Sequence, residues 1–319
     1  MNDFRIIKYT KEWEVPLRRY LHKTFPSYSE DYISYCINCS SDDTPALLVV
    51  KDDKIVGCQL FYCTQAVIYD KKTNVQWGHD TFLDKEYRSE IGLDFVWSIN
   101  SIKGIFGIGL TEVNRKIYQL LKAVFFEGVF NYYFVNLYLA LNIFQKILHI
   151  KHSSSWVDKI KCNNSIFRKV DSVTEINIPN EGYWFKGVND IDFIRDADFI
   201  NQRFFKSVVN DYAVYASKDA YFVVRETSFH GLPALLLCDF RYDPYNKDSV
   251  SDLINGVKTI ARKSRLGVLY FSSGDSNFNK YFKNRLHYKR PVDFVSTMKV
   301  SEKSSFTITG ADADAELLC

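Results

Sequence analysis

The stretch Phe82–Val96, FLDKEYRSEIGLDFV, sets anion-binding residue types where a strand-like run gives way to helical spacing. The first N–H groups of a helix lack intrahelical partners, and together with the macrodipole they form a site suited to phosphate. Arg88 adds a guanidinium fork that matches a diphosphate, Ser89 a hydroxyl, and Gly92 a point of close backbone approach. A solvated helix start, with Glu90 favourable in its first turn, would use the same residues.

The surrounding pattern is that of alternating strands and helices. Phe4 to Tyr9 alternates like a strand, and helices are expected over Glu12–Thr24 and Glu30–Asn38. Two apolar runs flank Lys51-Asp52-Asp53-Lys54 as a hairpin, and VQWGHDTFLD is a further strand. A helix is expected from Gly92 to Asn100, then a short strand in GIFGIGL. EVNRKIYQLLKAVF has helical spacing, and VFNYYFVNLYLAL is strand-like in its aromatic and branched residues. After a polar connection containing a short helix from Val157, IDFIRDADFINQRFF reads as a helix. A second hairpin turns near His230-Gly231, KDSVSDLINGVKTIARKS is a long helix, and strand, helix and strand follow. Both halves repeat one order of elements, which suggests a duplicated unit.

At this point the sequence resembles the GCN5-related N-acetyltransferases. In that family a fourth strand ends in a pattern such as V-x-P-E-Y-R-G-x-G-I-G, and this chain has LDKEYRSEIGL. Leu83 falls at the valine and Glu86-Tyr87-Arg88 at E-Y-R; Ser89 replaces the first glycine, and of the later ones only Gly92 remains. The family's next helix resembles N-x-x-x-Y-x-x-Y-x-K-x-G-F, which places Asn114 at the pantetheine-binding asparagine of EVNRKIYQLLKAVFF and Tyr118 at the first tyrosine. The second tyrosine, often the general acid, falls at Leu121, which has no proton to give. In the second half, IRDADFINQRFF is similar to R-D-A-x-Y-L-x-W-R-F, with Gln202 at the tryptophan, and TGADADAEL to a G-D-x-D ending. These marks occur in tandem acyltransferases of surface-polysaccharide and cell-wall synthesis.

The resemblance implies an α/β fold of two tandem domains, each a mixed, mostly antiparallel sheet flanked by helices. Residues 1–155 would be the acyl-CoA-binding domain, 156–182 a connection, and 183–319 a second domain whose strand end, LLLCDFRYDPYNKDSV, lacks a glycine-rich turn. It implies transfer of an acetyl group from acetyl-CoA to an amino sugar or other small amine, in a bacterial cytoplasm. Leu83 would polarise the thioester through its N–H, Arg88, Ser89, Glu90, Ile91, Gly92 and Leu93 would hold the diphosphate, and Asn114 the pantetheine arm. His79 and Asp80 are the candidate bases, and strand alternation sends their side chains to opposite faces. Tyr118 is the candidate acid, and a cleft between the domains would take the acceptor. A non-catalytic binding or assembly protein on a degenerate acyltransferase scaffold is the alternative, and aminoacyl transfer from a charged tRNA a third reading.

Composition narrows the field. A chain of 319 residues exceeds one ordinary domain, and 46% hydrophobic residues are enough for two cores. A net charge of +3 gives no electrostatic argument for nucleic acid, and ARKSR and NRLHYKR lack interleaved exposed aromatics. The N-terminus carries charges where a signal peptide needs its apolar core. The most apolar window, Ala123–Leu141, holds Glu127, Asn131 and Asn136, which argues for buried strand and helix and against a membrane span. Seven cysteines, an odd number, indicate reduced thiols, and the Cys36–Cys39 pair has no second pair to complete a metal site. His149 and His152 lack a third ligand, so no metal is expected. Asp312 and Asp314 stand in a polar tail that could meet a cation or a sugar hydroxyl or stay mobile.

Overall fold

A computed structural model describes residues 4–38, 46–102, 104–148, 166–282 and 287–312. Strand β1 (Phe4–Lys8) leads through a 3₁₀ turn into helices α1 (Glu14–Thr24) and α2 (Glu30–Asn38). Strands β2 (Ala46–Lys51), β3 (Lys54–Ile68) and β4 (Lys71–Leu83) follow, then a 3₁₀ turn (Lys85–Tyr87) and α3 (Arg88–Asn100). Next come β5 (Ile105–Ile108), α4 (Glu112–Leu120), β6 (Val124–Phe126), β7 (Phe130–Val135) and α5 (Tyr138–Ile147). Past the connection lie β8 (Arg168–Val170), β9 (Ile191–Phe193), α6 (Ala197–Ile200) with a π turn after it, β10 (Ala213–Ala216), β11 (Ala220–Phe229) and β12 (Leu232–Tyr242). The chain goes on through α7 (Lys247–Lys263), β13 (Val268–Ser273), α8 (Ser276–Tyr281), β14 (His287–Pro291), β15 (Phe294–Ser296) and β16 (Phe306–Thr307).

Three hairpins turn on two residues that both have positive φ: Asp52-Asp53, Tyr69-Asp70 and His230-Gly231. That geometry matches the right-handed twist of the flanking strands. Several helix boundaries differ from the sequence expectation. The expected turn at 88–92 is already the first turn of α3. Helix α4 stops at Leu120 because Lys122 takes a left-handed conformation and the Ala123 N–H closes back on the Tyr118 carbonyl, freeing Val124–Phe126 to form β6. The run 129–141 divides into β7 and the start of α5, and the expected helix over 191–205 is β9 followed by α6, capped by Asp196 on the Phe199 N–H. Val157 lies outside the described residues.

Two compact units result. Unit 1 gathers the described residues of 1–65, 73–127 and 293–303; unit 2 gathers those of 66–72, 128–292 and 304–319. In unit 1 the strand order is β1-β2-β3-β4-β5-β15-β6, and in unit 2 it is β8-β10-β11-β12-β13-β7-β14. The two orders correspond strand for strand. The penultimate strand of each is exchanged: β15, from late in the chain, pairs antiparallel with β5 and β6, while β7 pairs antiparallel with β13 and β14. Within each of these seven-strand orders one parallel pair, β4–β5 or β12–β13, interrupts an otherwise antiparallel ladder, and β9 and β16 pair in parallel off the first order. The core of unit 1 sets Ile91, Phe95 and Ile99 of α3 against Leu83, Ile105, Tyr118 and Val295. Unit 2 has the larger core, in which Leu253, Val257 and Ile260 of α7 cover Phe222, Leu235 and Leu237.

Candidate active site

The parallel ladder between β4 and β5 lasts only two positions, Gln76 opposite Ile105 and Trp77 opposite Phe106. Beyond them the strands part. The Asp84 N–H donates to the Val56 carbonyl of β3 at 2.9 Å, so strand alternation aims the Leu83 N–H at the other edge, the one β5 has left. Two glycines flank the mouth of the opening. A Cβ on Gly78 of β4 would stand 3.1 Å from the Tyr118 hydroxyl, and one on Gly107 of β5 3.2 Å from it. Glycine inside a strand marks close approach by another group, and here that group is the Tyr118 ring reaching in from α4. Burial pushes the Tyr118 phenol up to about 12, so it stays protonated at neutral pH.

Asn114 sits one turn before Tyr118 on the same face of α4, and its N–H is capped by the Thr111 hydroxyl at 3.2 Å. Position 121, where the resemblance looks for a second tyrosine, is a buried leucine.

His79 and Asp80 do not go to opposite faces as alternation predicts. Asp80 has φ of 51°, a left-handed residue in mid-strand, and the resulting irregularity brings His79 Nδ1 to 3.0 Å from Asp80 Oδ2. Gln59, buried in β3, holds the distortion: its amide donates to the His79 carbonyl at 2.8 Å and accepts from the Thr81 hydroxyl. Because the Cβ direction of Gly78 meets Tyr118, the next side chain, His79, leaves by the opposite face of the sheet. Sequence reasoning missed Gln59, Gly78 and Gly107; lone glycines within the strand patterns were the signal available.

At the start of α3, Arg88, Ser89 and Glu90 are solvent-exposed, whereas the Ile91 side chain packs into the core and the Leu93 side chain points to solvent. The Arg88 Nε donates to the Leu83 carbonyl at 2.9 Å, which fixes the guanidinium beside the strand end. A Cβ on Gly92 would meet only a Leu83 methyl at 3.9 Å. Packing therefore does not require glycine there, although glycine costs a helix interior about 1 kcal/mol relative to alanine.

The corresponding opening in unit 2 is filled by the chain itself. Strands β12 and β13 pair in parallel over three positions, after which Ser273 of β13 bridges Thr309 on the edge facing β12. The Thr309 hydroxyl donates to Asp239 of β12 at 2.5 Å, so residue 309 lies between the two parted strands. A fully buried ion network locks this segment. Arg195 donates to Asp239 at 3.0 Å and to Asp312 at 2.5 Å, and Arg241 donates to Asp239 at 3.2 Å. Burial alone would raise the Asp239 carboxyl, but Arg195 and Arg241 outweigh it and hold it below the ordinary carboxylate value. Asp312 is thus a buried structural partner and no part of a mobile tail; Asp314 lies outside the described residues. The two sequence marks of the second half, Arg195 in IRDADF and Asp312 in TGADAD, meet in one ion pair.

Among the described residues no cluster of His, Cys, Asp and Glu could hold a metal ion, and no helix is long and apolar enough to cross a membrane. Cys36 is buried; Cys39, His149 and His152 lie outside the described residues.

Neither a protein-family model nor a curated sequence matches the chain. Solved structures do. A GCN5-related N-acetyltransferase from Anabaena variabilis ATCC 29413 superposes with a TM-score of 0.55 at 10% identity, covering 91% of this chain and 72% of that one. A conserved protein of Enterococcus faecalis V583, described as a probable N-acyltransferase, gives 0.58 at 11% identity over 93% and 72% of the two chains. N-myristoyltransferase from Saccharomyces cerevisiae with bound myristoyl-CoA gives 0.53 at 11% identity over 93% and 79%. At such identities the likeness is one of fold, and it extends over both units. The chain has the fold of the GCN5-related N-acetyltransferase superfamily.

Proposed function

We propose that unit 1 is the site of an acyl-CoA-dependent N-acyltransferase acting in the cytoplasm, with acetyl-CoA as donor and an amino sugar or another small amine as acceptor. The observation that carries this reading is the contrast between the two openings. In unit 2 the gap between the parted parallel strands holds Thr309, whereas at the equivalent gap of unit 1 the Tyr118 hydroxyl lies against Gly78 and Gly107 of the two strands, with the strand end at Leu83 beyond them. The superposed structures include acyltransferases, one with an acyl-CoA bound.

The steps follow from the geometry. Arg88 and the first turn of α3 would hold the diphosphate, with Gly92 allowing close approach, and Asn114 the pantetheine amides. The Leu83 N–H would donate to the thioester oxygen as negative charge develops on it. His79, held 3.0 Å from Asp80 through its Nδ1, would take the proton of the attacking amine. The C–N bond forms, the C–S bond breaks, and the departing thiolate takes the Tyr118 proton from the other face of the sheet. His79 and Tyr118 would then serve as base and acid on opposite sides of the reacting carbon.

Calorimetric titration with acetyl-CoA tests the site. Binding by the wild type, weakened in Arg88→Ala and Gly92→Val, supports it; no binding at millimolar ligand sinks it, and binding untouched by both substitutions refutes the assignment. An acceptor screen that reads free CoA follows. A second reading, binding without transfer, draws on Leu121 at the usual acid position and Ile91 where a glycine is expected; it predicts binding with no CoA release for any amine.

A further inference from the structure

Helix α5 in unit 2 is built the wrong way round for a soluble surface. At about 100° per residue, Leu137, Leu141, Phe144 and Leu148 fall on one line, and Ile143 and Ile147 widen it to an arc of roughly 160°. All six are exposed, Leu137 at 92% and Ile147 at 68%, and no charged side chain interrupts them. On the opposite face Asn142 is buried against Gly267 with no partner for its amide among the described residues, and Lys146 donates to the His230 carbonyl at 2.9 Å. A contiguous apolar face of this kind marks an interaction surface.

What lies beside it indicates the occupant. The cavity at the end of β7, about 120 Å³ and open to solvent, is lined by Phe134, Asn136, Lys258, Arg262, Leu269 and Phe282. Asn136 lines the cavity, and the next residue, Leu137, begins the apolar arc. Among the described residues two cations and no carboxylate line it. The Lys258 ammonium lies 5.1 Å from the Phe282 ring centre, and burial together with Arg262 weakens its hold on a proton, a strain that a bound anion would relieve. An apolar helix face without a charged side chain, next to a cationic cavity, complements a layer of acyl chains below negative headgroups. A second copy docked face to face would bring two like-charged cavities together, which disfavours an isologous dimer.

We propose that unit 2 docks on membranes carrying anionic phospholipid, with the α5 arc seated among the acyl chains and the Lys258–Arg262 cavity receiving a phosphate headgroup. The reading is independent of the reaction assigned to unit 1. Flotation with phosphatidylcholine vesicles, with and without phosphatidylglycerol, tests it. The expected result is binding to the anionic vesicles that drops at least about tenfold in Phe144→Glu or Ile147→Ser and roughly fivefold for each of Lys258→Ala and Arg262→Ala. The substituted arc positions are exposed, so unfolding temperatures should match the wild type. Absence of flotation overturns the proposal, as does binding that ignores the headgroup charge or survives every substitution. Complete competition by inorganic phosphate would reduce the site to a soluble-anion pocket. A dimer seen by light scattering and abolished by Phe144→Glu would assign the arc to a second copy.

Discussion

The Tyr118 hydroxyl stands 3.1 Å from where a Cβ on Gly78 would be, so the strand and the helix that carry them are fitted to each other through one oxygen atom. This contact is tighter than ordinary van der Waals packing. Gly78→Ala must displace the ring, with an expected stability loss of about 1 kcal/mol. Removing the oxygen should relieve the crowding, so Gly78→Ala combined with Tyr118→Phe should be more stable than Gly78→Ala alone. A double-mutant cycle from thermal unfolding measures the coupling; additive effects would show that the hydroxyl is not what fills the space.

The pairing of His79 with Asp80 depends on a left-handed residue, which separates a backbone effect from a chemical one. Asp80→Val places a β-branched side chain at φ of 51° and should cost about 1–2 kcal/mol while parting the pair. Asp80→Gly tolerates the conformation but leaves His79 without its carboxylate partner. Stability should then be near wild type while CoA release falls, by up to about a hundredfold if the imidazole acts as base. Equal activity in Asp80→Gly and the wild type would remove Asp80 from the mechanism.

These two sites show what a sequence exposes and what it hides. Hairpins at Asp52-Asp53 and His230-Gly231 are readable because turn chemistry is local, and so is α3, whose Ile91, Phe95 and Ile99 recur every four residues. The end of α4 is not, because one left-handed lysine decides it. The exchange of β7 and β15 is hidden for a different reason. Each reads correctly as a strand, but its partners lie more than a hundred residues away, and nothing in Phe130–Val135 or Phe294–Ser296 names them. Asp80 can adopt positive φ with little cost, so its departure from alternation leaves no mark in the residue type. Arg195 and Asp312 stood out as sequence marks, but their meaning as a buried ion pair required the fold.

That ion pair should govern the stability of unit 2. Asp312→Ala strips Arg195 of its 2.5 Å contact and also removes the acceptor of the Thr309 N–H. Leaving a buried charge short of a partner typically costs about 3–5 kcal/mol. Denaturant unfolding should show a loss of that order, and Asp312→Asn, which keeps an acceptor, should lose less. A change within a few tenths of a kcal/mol would mean that residues 306–312 add nothing to the fold.

Asp192 offers a pH test with the opposite sign. Burial outweighs the nearby Arg241 and Arg195 and lifts its carboxyl from 3.8 to about 6, and its Oδ1 has no hydrogen-bond partner among the described residues. Between those two values the folded chain binds a proton that the unfolded chain does not. The stabilisation from that proton is therefore complete below pH 3.8 and is lost as pH rises through about 6. At neutral pH the ionised, buried carboxylate is a liability of up to about 3 kcal/mol. Asp192→Asn keeps an acceptor for the Phe185 N–H without the charge, so it should raise the unfolding temperature at pH 7.5. The gain should shrink as both proteins are moved toward pH 5, because the wild-type carboxyl is then neutral. A variant less stable than wild type at pH 7.5 would show that the charge of Asp192 is needed to balance Arg241 and Arg195, and that Asp192 belongs to the buried network of Arg195, Arg241, Asp239, Asp312, Thr309 and Tyr221.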